Sequence, residues 1–183
     1  RVAARCAGCR TVVHTPHGHN FYGYFSPAIS QGIIFAERFF SRFCDTLIAL
    51  TELEKRDMCA YRVAPPGKIE VVYQGLELSD FTVAAGTRSI VRESVGVPAE
   101  RLLVGMVGRL EPVKGPDIFI EAAGIAADAV PASTFIVVGE GSMRAALEAR
   151  AVSLGLKKRC VFTGWRDDVA RILSALDLFV LPS

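Results

Sequence analysis

A glycine, an arginine and a lysine follow an apolar run near the middle of the chain, and their types and spacing suit phosphate binding. The apolar run is Leu102–Val107; Gly108 and Arg109 follow it directly, and Lys114 comes five residues after the arginine. Such a run is typical of a buried strand in a parallel sheet, and open α/β sheets bind ligands beyond the carboxyl ends of their strands. Gly108 lets the backbone approach a ligand closely, while Arg109 offers a planar fork of donors and Lys114 a point charge. We therefore predict that this stretch binds a diphosphate.

The stretch does not match the phosphate loop of Walker-type nucleotide-binding proteins. That loop needs a glycine directly before its lysine and a serine or threonine directly after it. Val113 and Gly115 occupy those two positions here. The simpler alternative is a turn between a strand and a helix that carries two solvated cations and binds no ligand.

Two further turns follow strand-like runs in the second half of the chain. Gly139-Glu140-Gly141 follows the run FIVV, and Trp165 and Arg166 follow the run VFTG. The glycine turn is not a dinucleotide fingerprint, because Arg144 stands where that motif requires its third glycine. Trp165 has two interpretations, one as part of a binding surface and one as a packing residue.

The order of these motifs resembles that of a known enzyme family. The stretches VGRLEPVKG, VGEG, FTGWRDD and DLFVLPS follow one another in the second half of the chain. This order resembles the donor-binding domain of retaining glycosyltransferases of the glycogen-synthase-like family, also called family 4 or group 1. That family has the GT-B fold, which consists of two Rossmann-like α/β domains with parallel sheets. The resemblance implies this fold, with both domains incomplete in 183 residues.

The resemblance also implies roles for individual residues. Those implied to bind the donor are Gly108, Arg109, Lys114, Gly139, Gly141, Trp165 and Arg166. Arg109 and Lys114 would also act in catalysis, by stabilising the charge of the departing diphosphate. The base would be recognised through main-chain groups around Trp165 and Arg166. The implied donor is a UDP- or GDP-sugar, and no cofactor is implied.

A weaker resemblance covers the first half of the chain. Val13–Tyr24 reads VHTPHGHNFYGY and resembles the acceptor-domain segment of family members that build exopolysaccharides or lipid-linked glycans. By position, His17 would be the catalytic histidine near the transferred sugar, where a neutral imidazole can hydrogen-bond the sugar and position its anomeric carbon. His14 and His19 are weaker candidates. The aromatic residues of this segment suit a wall for a sugar or a lipid, but they also suit ordinary packing.

Strand-like and helical patterns alternate along the chain, which predicts parallel sheets with right-handed crossovers. We expect a partial first domain over residues 1–84, a linker with a short helix over 85–100, and a partial second domain over 101–183. Thr51 and Glu54 predict a capping box at the start of a helix in the first domain. The helices predicted in the second domain are Pro116–Ala129, Ser142–Leu154 and Val169–Ser174.

The resemblance further implies a pair of glutamates, about two helical turns apart, after the strand that ends in Leu-Pro-Ser. That motif ends at Ser183, the last residue of the sequence, and the first residue is Arg1. We therefore expect the sequence to be part of a longer protein, with an incomplete donor-sugar site and no activity of its own.

Composition and charge argue against several classes of function. The hydrophobic content of 51% and the charged content of 22% fit a globular α/β chain. No apolar run is long enough to span a membrane, and the net charge of +2 is too small to argue for nucleic-acid binding. Residues 1–68 hold nine Lys or Arg against five Asp or Glu. This excess suits either peripheral contact with an anionic membrane or an ordinary solvated face.

Neither the cysteines nor the acidic residues predict a metal site. Cys6 and Cys9 form a single CxxC pair without the second pair or the histidines that a zinc site needs. Asp167-Asp168 lacks the spacing of an Asp-x-Asp clamp. We expect Cys6 and Cys9 at the end of a helix. An odd number of cysteines without a secretion signal indicates a reducing, cytoplasmic location, with the inner face of the membrane as an alternative.

The resemblance, with which these features agree, implies a retaining glycosyltransferase that moves a sugar from a nucleotide diphosphate to a hydroxyl acceptor. The expected pathways are polysaccharide or lipid-linked glycan synthesis. Two alternatives are a sugar-nucleotide epimerase of similar fold and a non-catalytic nucleotide-binding module.

Overall fold

The structure, a computed structural model, describes residues 1–16, 21–22, 25–82 and 87–183. The chain divides into two compact units, Arg1–Leu76 and Glu77–Ser183. The limits predicted at residues 84 and 101 stay a prediction. A helix inside the predicted linker, α4 (Thr87–Ser94), packs against α7 (Val169–Ala175) within the second unit.

The first unit contains a three-stranded parallel sheet in the order β1-β2-β3. Its elements are α1 (Val2–Cys6), β1 (Val13–His14), α2 (Pro27–Ser41), β2 (Thr46–Ala49), α3 (Glu52–Ala60), a 3-10 turn (Pro66–Lys68) and β3 (Ile69–Val71). The core includes residues from α2, α3 and the strands; among these, Ile34, Leu47, Met58 and Ile69 are almost fully buried. As predicted, Cys6 lies at a helix end, and the chain turns there at Gly8, which has a φ of 82°.

The capping box predicted at the start of α3 forms only in part. Thr51 Oγ1 accepts a hydrogen bond from the N–H of Glu54 at 3.0 Å, as expected of an N-cap. The Glu54 carboxylate, however, accepts from the N–H of Leu50 at 2.6 Å. The glutamate therefore reaches one residue further back than the capping box predicts and helps to fix the end of β2.

The second unit contains a four-stranded parallel sheet in the order β6-β5-β4-β7. Its strands are β4 (Leu102–Val107), β5 (Ser133–Val138), β6 (Cys160–Gly164) and β7 (Leu178–Phe179). Its other elements are a 3-10 turn (Ser79–Phe81), α4, a second 3-10 turn (Pro112–Lys114), α5 (Pro116–Ala129), α6 (Arg144–Ser153) and α7. Helix α5 has the limits predicted from the sequence.

Helices cover both faces of this second sheet, and the side chains of β5 alternate between two cores. Phe135 and Val137 belong to the core that α5 and α6 complete. Ile136 and Val138 belong to the core that α4 and α7 complete. All six residues of β5 are buried, as expected of a parallel strand covered on both faces. The predicted parallel α/β architecture is therefore confirmed.

Asp177, directly before β7, fastens α4 to the sheet. Its carboxylate accepts hydrogen bonds from the N–H of Leu103 and from the Arg92 guanidinium, both at 2.7 Å, and it also pairs with Arg88. Arg92 is only 4% exposed, so this carboxylate neutralises a buried cation.

The longest helix in the described part of the chain is α2, with 15 residues. Every helix there is too short or too polar to cross a bilayer.

Candidate functional site

The carboxyl ends of β4, β5 and β6 meet at one edge of the second sheet and line a cleft of about 440 Å³. The residues that line it are Val107, Gly108, Arg109, Val138, Gly139, Glu140, Trp165, Arg166, Asp167 and Val169. Three turns that are far apart in sequence therefore line one cleft, at the edge of the sheet where ligands bind in open α/β folds.

The turn after β4 brings the predicted phosphate-binding residues to this edge. The N–H of Gly108 donates to the carbonyl oxygen of Val138 at 3.0 Å, which continues the pairing of β4 with β5 beyond the strand. Arg109 lines the cleft. Lys114 is half-buried at the end of the 3-10 turn, directly before α5, and is not among the lining residues.

The cations of this turn are not engaged by carboxylates within the described part of the chain. Neither Arg109 nor Lys114 forms a salt bridge there. Gly115, between Lys114 and α5, has a φ of 60° and serves as the N-cap of that helix. The first N–H groups of a helix carry partial positive charge, so this end of α5 adds to the electropositive character of the turn.

The glycines of the second turn are required by close approach to the first turn. A β-carbon on Gly139, which has a φ of 136°, would lie 2.0 Å from the carbonyl oxygen of Gly108. A β-carbon on Gly141 would lie 2.4 Å from the carbonyl oxygen of Leu110. Gly139 lines the cleft, whereas Gly141 does not and lies against the backbone of Leu110.

Trp165 and Arg166 follow β6 and line the cleft from its third side. Trp165 is 78% exposed, so it is not part of the core of the second unit. Arg166 donates two hydrogen bonds of 2.6 Å to Asp168, and this pairing lowers the pKa of the Asp168 carboxyl. Because the Arg166 side chain is engaged in this way, its contribution to a ligand would come from its main chain, as the resemblance implied.

Two further residues at the edge, Glu111 and Ser142, were not singled out by the sequence. The Glu111 carboxylate accepts from the N–H of Ser142 at 2.9 Å and from its hydroxyl at 2.7 Å. The hydrogen bond from the Ser142 N–H, the hydroxyl and the charge of Arg109 lower the pKa of the Glu111 carboxyl. A Glu and a Ser 31 residues apart give no local signal, so only the fold brings them together.

Of the three histidines considered in the sequence analysis, the structure describes only His14. His17 and His19 lie outside the described residues, and His14 is half-buried at the end of β1 in the first unit. Among the described residues, no group of three His, Cys, Asp or Glu side chains could hold a metal ion. The role predicted for His17 therefore stays a prediction.

The chemistry available at this edge is the binding of an anion beside an exposed aromatic ring. Arg109 can donate two parallel hydrogen bonds to a phosphate group. Trp165, which lines the same cleft and is exposed, offers the flat apolar surface of its indole. A ligand that combines a diphosphate with a planar base fits this pair of features.

Comparisons with known proteins agree with this geometry. The family model described as glycosyl transferases group 1 matches residues 87–183. The model described as glycosyltransferase family 4 matches residues 1–80. The two matches correspond closely to the two units of the structure.

Among curated proteins, the chain is 35% identical over 187 aligned positions to UDP-Gal:alpha-D-GlcNAc-diphosphoundecaprenol alpha-1,3-galactosyltransferase of Escherichia coli. This match covers the whole chain and 48% of the relative. The chain is also 36% identical to a D-inositol 3-phosphate glycosyltransferase of Mycobacterium sp. (strain KMS), and that match covers 76% of the chain and 32% of the relative. The chain thus spans at most about half the length of these relatives.

Among solved structures, the chain is similar to Anabaena Alr3699/HepE in complex with UDP-glucose. The TM-score is 0.85 at 27% identity, and the match covers the whole chain and 49% of that protein. The lipopolysaccharide glycosyltransferase WaaG shares the fold, with a TM-score of 0.73 at 21% identity over the whole chain and 55% of WaaG. The predicted GT-B fold class is thereby confirmed.

Proposed function

Since the chain belongs to the glycosyl transferases group 1 family, we propose that it contributes the nucleotide-sugar site of a retaining glycosyltransferase. The observation that carries this proposal is the cleft at the edge of the second sheet. There Arg109, which forms no salt bridge within the described residues, and the exposed Trp165 line the same space of about 440 Å³. The cleft thus offers a cation for a diphosphate and a flat surface for a base.

The proposed donor is a UDP-sugar. The names of two similar proteins support it, because the Escherichia coli relative is a UDP-Gal-dependent galactosyltransferase and Alr3699/HepE binds UDP-glucose. In the proposed complex the diphosphate lies against Gly108, Arg109 and the amino end of α5. The base lies toward Trp165 and the main chain of Arg166.

The proposed reaction replaces one bond to the anomeric carbon of the donor sugar. The acceptor hydroxyl oxygen forms a bond to this carbon on the face that the diphosphate leaves, so the configuration is retained. The bond from the carbon to the diphosphate oxygen breaks, and that oxygen keeps the electron pair and accepts the proton of the acceptor hydroxyl. Arg109 and Lys114 stabilise the charge of the departing diphosphate, which is a large term in such reactions. His17 is proposed to hydrogen-bond the donor sugar.

The proposed acceptor is a hydroxyl group of a lipid-linked glycan. Support comes from the Escherichia coli relative, whose acceptor is linked to diphosphoundecaprenol. Such an acceptor requires access to a membrane surface, so the proposal extends to peripheral contact with the cytoplasmic face of the membrane.

A basic cavity in the first unit supports this membrane contact. It measures about 480 Å³ and opens near the carboxyl ends of α2 and α3. The residues that line it are Arg38, Ser41, Arg42, Cys59, Arg62, Val63, Ala64, Pro65, Pro66 and Lys68. Four of them are cations, and none of them is acidic, so the cavity suits the phosphate groups of anionic lipids.

The first test of the proposed donor site is calorimetric titration of UDP, GDP and uridine into the protein and its Arg109→Ala variant. We expect UDP to bind and the variant to bind it at least about tenfold more weakly, because hydrogen bonds to charged groups contribute roughly 1.5–3 kcal/mol. Lys157→Ala is the matched control, since Lys157 is an exposed cation that precedes β6 at the opposite edge of the sheet. Absence of UDP binding, or equal binding by the Arg109 variant, would contradict the proposal.

A transfer assay with the complete protein that carries this chain separates the proposal from its alternatives. A transferase consumes the UDP-sugar only when an acceptor is present. An epimerase would convert the sugar of the donor without an acceptor, and a non-catalytic module would bind UDP without turnover. The anomeric configuration of the product, measured by NMR spectroscopy, tests retention.

A further inference from the structure

The geometry points to Glu111 as a positioning residue that, through Ser142, holds the turn bearing Arg109 and Lys114 in the arrangement that binds a diphosphate. This inference rests on the proposed function and deepens it. Glu111 lies between the two cations in sequence, within the turn that follows β4. It is not itself a lining residue of the cleft.

Both oxygens of the Glu111 carboxylate are engaged by one residue of the neighbouring turn. Oε1 accepts from the N–H of Ser142 at 2.9 Å, and Oε2 accepts from its hydroxyl at 2.7 Å. Two hydrogen bonds to a charged group define both the distance and the direction between the turns more tightly than one bond could. They also direct the negative charge of Glu111 toward donors, which reduces its repulsion of a bound diphosphate.

The backbone of Glu111 is also hydrogen-bonded to the backbones of Arg109 and Lys114. Its N–H donates to the carbonyl oxygen of Arg109 at 2.9 Å, and its carbonyl oxygen accepts from the N–H of Lys114 at 2.9 Å. A shift of Glu111 would therefore move the backbone of Arg109 and Lys114 together. Misplacement of catalytic groups by as little as about 1 Å can cost a hundredfold in rate.

Both backbone groups of Leu110, the residue directly before Glu111, hydrogen-bond to the neighbouring turn. The N–H of Leu110 donates to the carbonyl oxygen of Glu140 at 2.9 Å, and the N–H of Met143 donates to the carbonyl oxygen of Leu110 at 3.1 Å. These bonds hold the turns side by side at Leu110. Glu111 adds the contact nearest to the 3-10 turn that ends in Lys114, where the next residues run on into α5.

The test compares the affinities for UDP and for uridine in four variants: Glu111→Ala, Ser142→Ala, Ser142→Thr and Glu111→Ala/Ser142→Ala. We expect Glu111→Ala to weaken UDP binding about tenfold and to change uridine binding less than twofold, because only UDP uses the cations. We expect Ser142→Ala to weaken UDP binding several-fold, and Ser142→Thr, which keeps the hydroxyl, to restore it. The double variant should bind UDP no more weakly than Glu111→Ala, because both substitutions remove the same contact.

The matched control is Glu121→Ala on α5. Glu121 also pairs through both carboxylate oxygens, with Arg150 at 2.5 and 2.9 Å, but it belongs to neither turn and does not line the cleft. Thermal unfolding of every variant, followed by circular dichroism, separates a change in the turn from loss of the fold. Equal weakening of UDP and uridine binding, or additive effects in the double variant, would overturn the positioning role.

The outcomes also distinguish this inference from the proposed function. If UDP binds and Arg109→Ala weakens it, but Glu111→Ala does not, the donor site stands and the role of Glu111 is wrong. If UDP does not bind to the unsubstituted protein, the proposed function fails first. In the complete protein that carries this chain, Glu111→Ala should lower kcat more than it raises the KM of the acceptor.

Discussion

The carbonyl oxygen of Gly108 occupies the space where Gly139 would carry a β-carbon, at a separation of 2.0 Å. The turns after β4 and β5 can therefore lie against each other only if residue 139 has no side chain. Gly139 also has a φ of 136°, a conformation that L-amino acids rarely adopt. Gly139 therefore meets two requirements at once: it allows close contact between the turns, and it adopts a backbone conformation with positive φ.

Replacement of this glycine should open the cleft. We expect Gly139→Ala to push the turn after β4 away from that after β5 and to weaken UDP binding at least about tenfold, with a stability loss of roughly 1–3 kcal/mol. Calorimetry with UDP and thermal unfolding measure the two effects.

The control for backbone strain alone is Gly155→Ala. Gly155 also has a positive φ, of 75°, but no heavy atom would lie within 4 Å of an added β-carbon. We expect this variant to lose stability without a change in UDP affinity. Unaltered UDP binding by Gly139→Ala would contradict the importance of the contact.

Strand β4 and the start of α5 were predictable because their signals are local. The apolar run ends at Gly108 and the helix starts at Pro116, so the positions of Arg109 and Lys114 follow from the order of residues. The sequence did not predict the hydrogen bonds between Glu111 and Ser142 or the ion pair between Asp177 and Arg92. These depend on which turns and strands become neighbours, and that is decided by burial along the whole sheet.

Cys160 should resist alkylation. Burial raises the pKa of its thiol to about 12, so almost no reactive thiolate is present at pH 8. We expect iodoacetamide at that pH to modify the exposed Cys6 and Cys9 while Cys160 stays unmodified. Peptide mass spectrometry measures the modified fraction, and unfolding in guanidinium chloride should abolish the protection. Rapid modification of Cys160 in the folded protein would contradict its raised pKa.

Asp177 should make the stability of the second unit depend on pH. Burial raises the pKa of its carboxyl, but the hydrogen bond from the Leu103 N–H and the charges of Arg88 and Arg92 lower it by more, so the net shift is downward. A carboxyl with a lowered pKa in the folded state stabilises the protein above its unfolded-state pKa, near 4, and this stabilisation is lost as the pH falls through the folded-state value.

The variant Asp177→Asn isolates this contribution. We expect it to lower the free energy of unfolding by about 2 kcal/mol at pH 7, because Arg92 loses its counter-charge. Thermal unfolding measured between pH 7 and pH 2.5 should show the difference from the unsubstituted protein shrinking as the pH falls below 4. A difference that is constant over this range would contradict the assignment.

His17 should matter for transfer and not for nucleotide binding. From the motif alone, we expect His17→Ala to lower the transfer rate of the complete protein about a hundredfold or more, since its imidazole is proposed to position the anomeric carbon. The affinity for UDP should change less than twofold, because UDP lacks the transferred sugar that His17 is proposed to contact. His19→Ala, a weaker candidate in the same motif, is the matched control. Unchanged transfer by the His17 variant would show that this assignment is wrong.

The basic cavity of the first unit should govern binding to anionic membranes. Arg42 and Lys68 line it, and neither forms a salt bridge within the described part of the chain. Each cation near an anionic surface contributes about 1 kcal/mol, so Arg42→Gln/Lys68→Gln should weaken binding to vesicles that contain phosphatidylglycerol about tenfold or more. Co-sedimentation with these vesicles and with pure phosphatidylcholine vesicles measures the effect.

The control variant Lys157→Gln/Lys158→Gln removes two exposed cations from the second unit and should change binding little. If both pairs of substitutions weaken binding equally, net charge and not the cavity attracts the membrane. If inorganic phosphate competes fully with the vesicles at millimolar concentration, the cavity binds phosphate groups without requiring a lipid surface.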